Sequence, residues 1–379
     1  MSTAITPMNV PILDLKAQHA TIRDAVMQKV MPVIEGQTFI LGQVVQDLEV
    51  RIAALSHAKY GIGVASGTDA LLLPLKALDL KPGDEVICPT FTFFATAGAI
   101  HNAGGTPKFV DIDADTYNLD VAKVEAAIGP RTRAIMPVHL YGQMAPMLEL
   151  MKLAAPRGIA VIEDAAQAIG ARRKVDGAWR TAGEMGSATG FSFFPTKNLG
   201  GWGDGGMVVT SDDRMEKRIR MLRTHGGIKT YHHEEVGFNS RLDALQAAVL
   251  LAKLPWLQQW SEARAANAAF YARSLAGVGG VRTPVTDKAN EHIFHQYMID
   301  ADRRDELQAH LKAAGIGSMV YYPVPLHLQP CFADLGGKAG QMPVAERASG
   351  RVLALPVYPE MTQAQKDHVV GAIRSFFGA

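Results

Sequence analysis

The chain has 379 residues, with 38 Lys and Arg against 37 Asp and Glu, 48% hydrophobic residues and 20% charged ones. This is ordinary globular usage, which excludes wholesale disorder, and a formal charge of +1 supplies no field to attract nucleic acid or an acidic membrane. Two cysteines, Cys88 and Cys331, cannot build a disulfide framework or a thiolate metal site; no apolar run reaches the ~18–20 residues of a membrane span, and no signal-peptide pattern opens the chain, so the expectation is a cytoplasmic protein of two or three domains.

Residues 1–40 read as a short arm followed by a helix. Gly42 opens a second helical stretch in which Val44, Val45, Leu48, Ile52 and Leu55 recur at helical spacing. From Tyr60 short apolar runs alternate with helical windows. The runs are 60–66, 85–90, 107–112, 133–140 and 159–166; the helical windows are 68–78, 92–103, 119–128 and 146–157. Alternation of this kind predicts a mainly parallel sheet covered on both faces. Two more strand runs, 188–195 and 205–212, flank a glycine-rich loop, and a helix is expected from Asp213 to Arg223. Residues 225–240 read as a polar loop. A long helical stretch starts near Arg241 and breaks at Pro255, and the remainder mixes helices with short strands such as HQYMID (295–300) and GSMVYYP (317–323). The expected division is a large domain over 1–250, including the N-terminal arm, and a small C-terminal domain over 251–379.

Ligands of open α/β sheets sit beyond the carboxyl ends of the strands. That places Ser66, Thr68, Thr90, Phe93, Asp164 and the glycine-rich loop around one crevice. Lys197 follows a strand and precedes Asn198, Leu199, Gly200 and Gly201. A lysine in an apolar site has its amine pKa lowered by desolvation, and a neutral amine is a nucleophile toward aldehydes. Asp164 ends a strand; it reads either as a helix cap or as a carboxylate that keeps a pyridine nitrogen protonated. SGTDAL (66–71) brings the amides of Gly67 and Thr68 to a helix N-terminus, a natural phosphate site, with the hydroxyls of Thr68 and Ser192 as further donors. Phe93, in PTFTFFAT (89–96), reads either as a core residue or as a ring stacked on a planar cofactor.

Other chemistries fit poorly. Gly61, Gly63 and Gly67 give a spacing one residue too long for the dinucleotide fingerprint, and two of them lie inside the strand pattern. His232 and His233 are adjacent, with Glu234 and Glu235 behind them, and no metal ligand set converges there.

With those residues assembled, the sequence resembles the DegT/DnrJ/EryC1/StrS family of pyridoxal-phosphate-dependent sugar aminotransferases, from about Pro11 to the C-terminus. The resemblance rests on SGTDAL, PTFTFFAT, VIEDAAQAIGA, FSFFPTKNLGGWGDGG and GFNSRLDALQAA, in that order. It implies the fold-type-I aminotransferase architecture: a large αβα domain, a smaller α/β domain, and a homodimer with two shared active sites. It makes Lys197 the lysine that carries the cofactor, Asp164 the partner of the pyridine nitrogen, and Gln167 a neighbour of the ring and its phenolic oxygen. Phe93 falls at the stacking aromatic, and Gly67, Thr68 and Ser192 at the phosphate site. Asn239 matches an asparagine that reaches the phosphate from the neighbouring subunit. The C-terminal half is similar to enzymes that aminate C-3 of a 3-keto nucleotide-linked hexose, with Tyr321-Tyr322 where many of those carry His-Tyr. Tyr321, Tyr322 and His327 are the substrate-contact candidates, followed by Arg223, His225 and Tyr231. The implied substrates are L-glutamate and a TDP- or UDP-linked keto sugar; a C-4 keto sugar, a ketocyclitol or a non-sugar ketone is the alternative acceptor.

Overall fold

The computed structural model describes residues 8–229 and 231–379. Helices α1 (Leu15–Glu35) and α2 (Gln43–Leu55) open the chain. The Asp14 carboxylate starts α1 by accepting from the amides of Lys16 and Ala17, two donors that a helix start leaves without partners. Strand and helix then alternate as β1 (Tyr60–Val64), α3 (Gly67–Ala77), β2 (Glu85–Pro89), α4 (Ala95–Ala103), β3 (Thr106–Val110), α5 (Val121–Ala127), β4 (Thr132–Ile135), α6 (Met147–Ala154) and β5 (Ala160–Asp164). A hairpin, β6 (Arg172–Val175) and β7 (Ala178–Thr181), precedes β8 (Ala188–Ser192) and β9 (Gly206–Thr210).

Seven of these strands form one sheet in the order β1-β9-β8-β5-β4-β2-β3. From β3 to β8 neighbours run parallel, while β9 is antiparallel to β8 and β1. The mainly parallel sheet is thus as expected. Side chains alternate across it, as a strand requires. Val86 and Cys88 pack with α3 and α4, and Ile87 joins the opposite core with Val45 and Leu48 of α2.

After β9 come α7 (Asp213–Arg223), the short pair β10 (Gly227–Lys229) and β11 (His232–His233), α8 (Ala244–Lys253) and α9 (Leu257–Ser274). Pro255 sits in a 3-10 turn over 254–256 that joins the two last helices, the break its missing N–H predicts. Helix α9 spans two cores. Leu257 and Trp260 belong to the core under the large sheet, and Ala268 and Tyr271 to a second core.

The rest of the chain forms β12 (Val281–Arg282), β13 (Asn290–Glu291), β14 (Tyr297–Ala301), α10 (Arg304–Ala313), α11 (Pro343–Arg351), β15 (Val352–Leu355) and α12 (Gln363–Phe377), of which β12, β14, β15, α10 and α12 pack the second core. Strands β12-β14-β15 form an antiparallel sheet, whereas β13 extends the β6–β7 hairpin. Val10 of the arm is buried in this second core and bridges to Ile316. The segment GSMVYYP is not a strand. It touches β15 only through a bridge between Met319 and Ala354, and otherwise crosses as irregular chain.

Candidate active site

Asp164 is the last residue of β5 and pairs in register with Gly190 of β8. It is 4% exposed. Thr96 Oγ1, in the first turn of α4, donates to its Oδ2 at 2.7 Å, and the Ala166 amide donates to Oδ1 at 3.2 Å. Thr92 Oγ1 lies 3.1 Å from Thr96 Oγ1 and continues the chain of hydroxyls. Burial pushes the Asp164 carboxyl above its ordinary value, while Thr96, the Ala166 amide and the attraction of Lys197 pull it back. A cation placed against this carboxylate would relieve the burial penalty.

Lys197 stands in the turn that follows β8. Its amide donates to the Phe194 carbonyl at 2.9 Å, and the Gly201 amide donates to the Phe193 carbonyl at 2.8 Å, so the loop folds back on the strand end. Lys253 Nζ donates to the Gly200 carbonyl at 2.7 Å, and Gln246 Oε1 accepts from the Trp202 amide at 2.7 Å. Helix α8 therefore grips the loop that presents Lys197. The lysine is enclosed by protein but keeps part of its surface open to the cleft. Burial pulls its ammonium down to about 8, against the attraction of Asp164. Desolvation thus penalises both charges at once, which favours a neutral amine beside a neutral or externally paired carboxyl.

Ser66 caps α3 by accepting from the Asp69 amide at 3.1 Å. The amides of Gly67 and Thr68 precede the first helical acceptor and face outward at the positive end of the helix. Helix α3 meets β8 so closely that a Cβ on Gly67 would lie 2.5 Å from Ser192 Cβ and 2.7 Å from its Oγ. Only glycine leaves room there, and the contact aligns helix amides with the Ser192 hydroxyl as an anion cradle. The Asp69 carboxylate is turned aside onto Ser240 Oγ at 2.8 Å.

The remaining wall is aromatic. Gln167 is clamped at both ends: Oε1 accepts from the Tyr141 amide at 2.7 Å, and Nε2 donates to the Tyr322 hydroxyl at 3.0 Å. Tyr141 donates in turn to the Tyr321 carbonyl. The Phe93 ring lies 6.3 Å from that of Tyr322 and is 58% exposed. Residues Lys197, Asp164, Gly67, Thr68, Ser192, Gln167, Phe93, Tyr321 and Tyr322 are thereby gathered around the carboxyl ends of β1, β2, β5 and β8. A buried carboxylate, a desolvated amine, an amide cradle and an exposed aromatic ring make a donor set that fits pyridoxal phosphate.

Other candidates are placed elsewhere. Arg223 is a correction: its guanidinium is buried, donating to Glu49 Oε1 at 2.7 Å and to the Gly63 carbonyl at 2.9 Å, and has no free face for a substrate. His327 is a second correction. It is 3% exposed, with Nδ1 2.7 Å from Thr90 Oγ1 and Nε2 3.2 Å from Glu346 Oε1, so it ties β2 to the start of α11. His225, just before β10, and Tyr231, between β10 and β11, are exposed, and Asn239, which bridges to Thr224, is exposed too. A separate surface cavity of about 500 Å³ lies beside Glu49, Lys59 and Arg220, whose charged groups are engaged in ion pairs, and the rest of its lining is largely apolar. Sequence reasoning missed Thr96 and Tyr141. The signal for Thr96 was present in PTFTFFAT, where a hydroxyl falls on the first turn after the aromatic pair.

A model of the DegT/DnrJ/EryC1/StrS aminotransferase family matches residues 20–374. A pleiotropic regulatory protein of Geobacillus stearothermophilus is 51% identical over 98% of this chain and 99% of its own. The UDP-N-acetyl-3-dehydro-α-D-glucosamine 3-aminotransferase of Acidithiobacillus ferrooxidans is 46% identical over 96% of this chain and 97% of its own. Among solved structures, DesV of S. venezuelae in complex with a ketimine intermediate superposes with a TM-score of 0.95 at 43% identity, covering 99% of this chain and 100% of that one. The chain belongs to the DegT/DnrJ/EryC1/StrS aminotransferase family.

Proposed function

We propose that this family member is a pyridoxal-phosphate-dependent transaminase that moves an amino group from L-glutamate to the C-3 keto group of a nucleotide-linked hexose. The observation that carries the reading is one crevice holding a desolvated amine, Lys197, a buried carboxylate, Asp164, and the Gly67–Ser192 cradle. When bound, pyridoxal phosphate supplies a cationic heterocycle that takes up the electron pair released when a carbon beside nitrogen loses its proton.

The chain's own residues do the rest. With a pKa near 8, Lys197 Nζ is neutral in roughly a tenth of molecules at pH 7, enough to act as a nucleophile and anchor. Once the donor's amine has taken its place, Nζ removes the donor's Cα proton as general base; in the second half-reaction it delivers a proton in the opposite sense. Asp164 holds a proton on the ring nitrogen, and Thr96 fixes the carboxylate for that task. The α3 amides and Ser192 hold the phosphate. The Tyr141–Gln167–Tyr322 clamp positions Gln167 beside the ring and presents Tyr321 and Tyr322 to the sugar.

The assignment of C-3 and of a nucleotide sugar rests on the named activity of the 46% identical relative. A homodimer in the cytoplasm completes the proposal. Exposed Phe93, Phe94, Phe194 and Trp202 suit cover by a second copy, to which Asn239 of this chain would lend its amide. No helix among the described residues is long and apolar enough to cross a membrane. Within each copy, 1–250 forms the cofactor-binding unit and 251–379 the smaller one.

A second reading follows from the name of the 51% identical relative: a cofactor-binding regulator without turnover. Half-reactions separate the two. Glutamate should abolish the visible band of the lysine-linked cofactor, and a 3-keto nucleotide sugar should restore it. Restoration only by a C-4 keto sugar, a ketocyclitol or a non-sugar ketone would move the acceptor. No response to any amino donor would leave the regulatory reading.

A further inference from the structure

Strand β5 ends at Asp164, and the segment beside that end is not a full strand. Strand β4 pairs with β5 only through Ala134 and Ile135, and Pro137, with no N–H, cannot extend the ladder as a donor. On this side two bonds carry the junction. The Asp164 amide donates to the Pro137 carbonyl at 2.8 Å, and the His139 amide donates to the Asp164 carbonyl at 2.9 Å. The direction of the Asp164 side chain therefore depends on where residues 137–139 are held.

The side chain of His139 holds them. It is fully buried, as is Glu163, and its Nε2 lies 2.7 Å from Glu163 Oε2. The Ala145 amide donates to Nδ1 at 3.1 Å. An amide can only donate, so Nδ1 offers its lone pair, and the ring proton sits on Nε2 and is donated to Glu163. The Glu163 carboxylate also accepts from the Gly186 amide at 2.6 Å and from the Gly183 amide at 3.2 Å. Burial alone would push this carboxyl up, but the His139 bond and the two amides hold it below the ordinary carboxylate value, so it is an anion. A Cβ on Gly186 would lie 2.9 Å from Glu163 Oε1, so glycine is what admits this seat. Side chains alternate along a strand, so Glu163 and Asp164 leave opposite faces of the sheet. The ring site is on the Asp164 face, and the His139–Glu163 pair stands behind it.

We propose that His139 and Glu163 are a positioning pair, which pins residues 137–139 to the end of β5 and so aims the Asp164 carboxylate at the ring nitrogen of pyridoxal phosphate. The proposal rests on the transaminase reading and adds two residues that act through Asp164 and touch neither cofactor nor substrate.

The cofactor-loaded wild type, His139→Leu and His139→Gln are mixed with glutamate, and the decay of the visible band is timed. Leucine fills the space but leaves the Ala145 amide and Glu163 without their shared partner; glutamine keeps one acceptor and one donor. His139→Leu should lower the saturating rate by about 10- to 100-fold, the range of a lost hydrogen bond to a charged group, with the half-saturating glutamate concentration unchanged. His139→Gln should recover most of that rate. In an Asp164→Asn background His139→Leu should slow the reaction no further, because the residue it acts through is already disabled. A lowered melting temperature with loaded protein reacting at the wild-type rate, equal losses for leucine and glutamine, or a full extra loss beside Asp164→Asn would overturn the proposal.

A measurement on the wild type decides even if a variant misfolds. In proton magnetic resonance of the apoprotein, the His139 Nε2–H, shut off from water and bonded to a carboxylate, should give the most downfield imidazole signal. Adding pyridoxal phosphate should shift it, because a cation arrives against the next residue of the same strand; a signal that stays in place would overturn the proposal. A wild type in which the signal shifts but no amine bleaches the band would instead sink the transaminase reading.

Discussion

Replacing Lys197 by methionine is expected to stabilise the cofactor-free protein. Desolvation draws the ammonium from its ordinary 10.5 down to about 8. Each pH unit between those values is worth 1.36 kcal/mol of disfavoured charge, so 2.5 such units set a ceiling of about 3 kcal/mol on what the buried cation takes from the fold. Lys197 keeps part of its surface accessible, and its removal also deprives Asp164 of an attraction that favours the charged carboxylate. The net gain at pH 7 is therefore about 1–2 kcal/mol. Below pH 8 the lysine is charged in both the folded and the unfolded chain, and the whole penalty applies. Between pH 8 and 10.5 the folded chain has shed the proton that the unfolded chain still holds, so wild-type stability rises with pH and the advantage of methionine shrinks. Thermal unfolding of both apoproteins at pH 7 and pH 10.5, at one protein concentration, reads this directly. A methionine variant no more stable than wild type at pH 7, or an advantage that grows toward pH 10.5, would refute the picture of a desolvated lysine.

Thr96→Val keeps the shape of the side chain but removes the donor to Asp164 Oδ2. Loss of a hydrogen bond to a charged group, about 1.5–3 kcal/mol, should weaken cofactor binding by about 10- to 150-fold in a fluorescence titration, with little change in the fold by circular dichroism. Gly67→Ala drives a Cβ to within 2.5 Å of Ser192 Cβ; parting α3 from β8 should cost about 1–3 kcal/mol of stability and raise the dissociation constant for pyridoxal phosphate. Arg223→Met leaves the buried Glu49 with Arg220 as its remaining ion-pair partner and the Gly63 amide as a donor. It should lower the unfolding free energy by about 1.5–3 kcal/mol, measured in urea, while KM for the keto sugar stays unchanged.

The large sheet was legible because parallel strands are buried on both faces and read as continuous apolar runs bounded by glycine, proline and aspartate. The same runs place Asp164, Ser66 and Lys197 at strand ends, so the crevice could be drawn before any coordinates. Facing is what a motif cannot give. Arg223 sits one turn-end away from the cleft in sequence, yet α7 turns it inward to Glu49, a partner 174 residues distant. His327 follows a tyrosine pair that does face the cleft, but its ring is consumed by Thr90 and Glu346. GSMVYYP has the residue types of a strand, and only its failure to find a continuous neighbour, beyond the Met319–Ala354 bridge, keeps it irregular. The β6–β7 hairpin was overlooked although its signal is local. Asp176 and Gly177 take φ values of 47° and 84°, the pair of left-handed residues that a two-residue hairpin turn demands.

Borohydride reduction of the cofactor-loaded protein, followed by digestion and peptide mass measurement, tests most directly where the cofactor is held. The reduced cofactor's mass should appear on the peptide containing Lys197 and on no other. Its appearance on Lys253, the other buried lysine drawn down to about 8, or the absence of any added mass, would contradict the account.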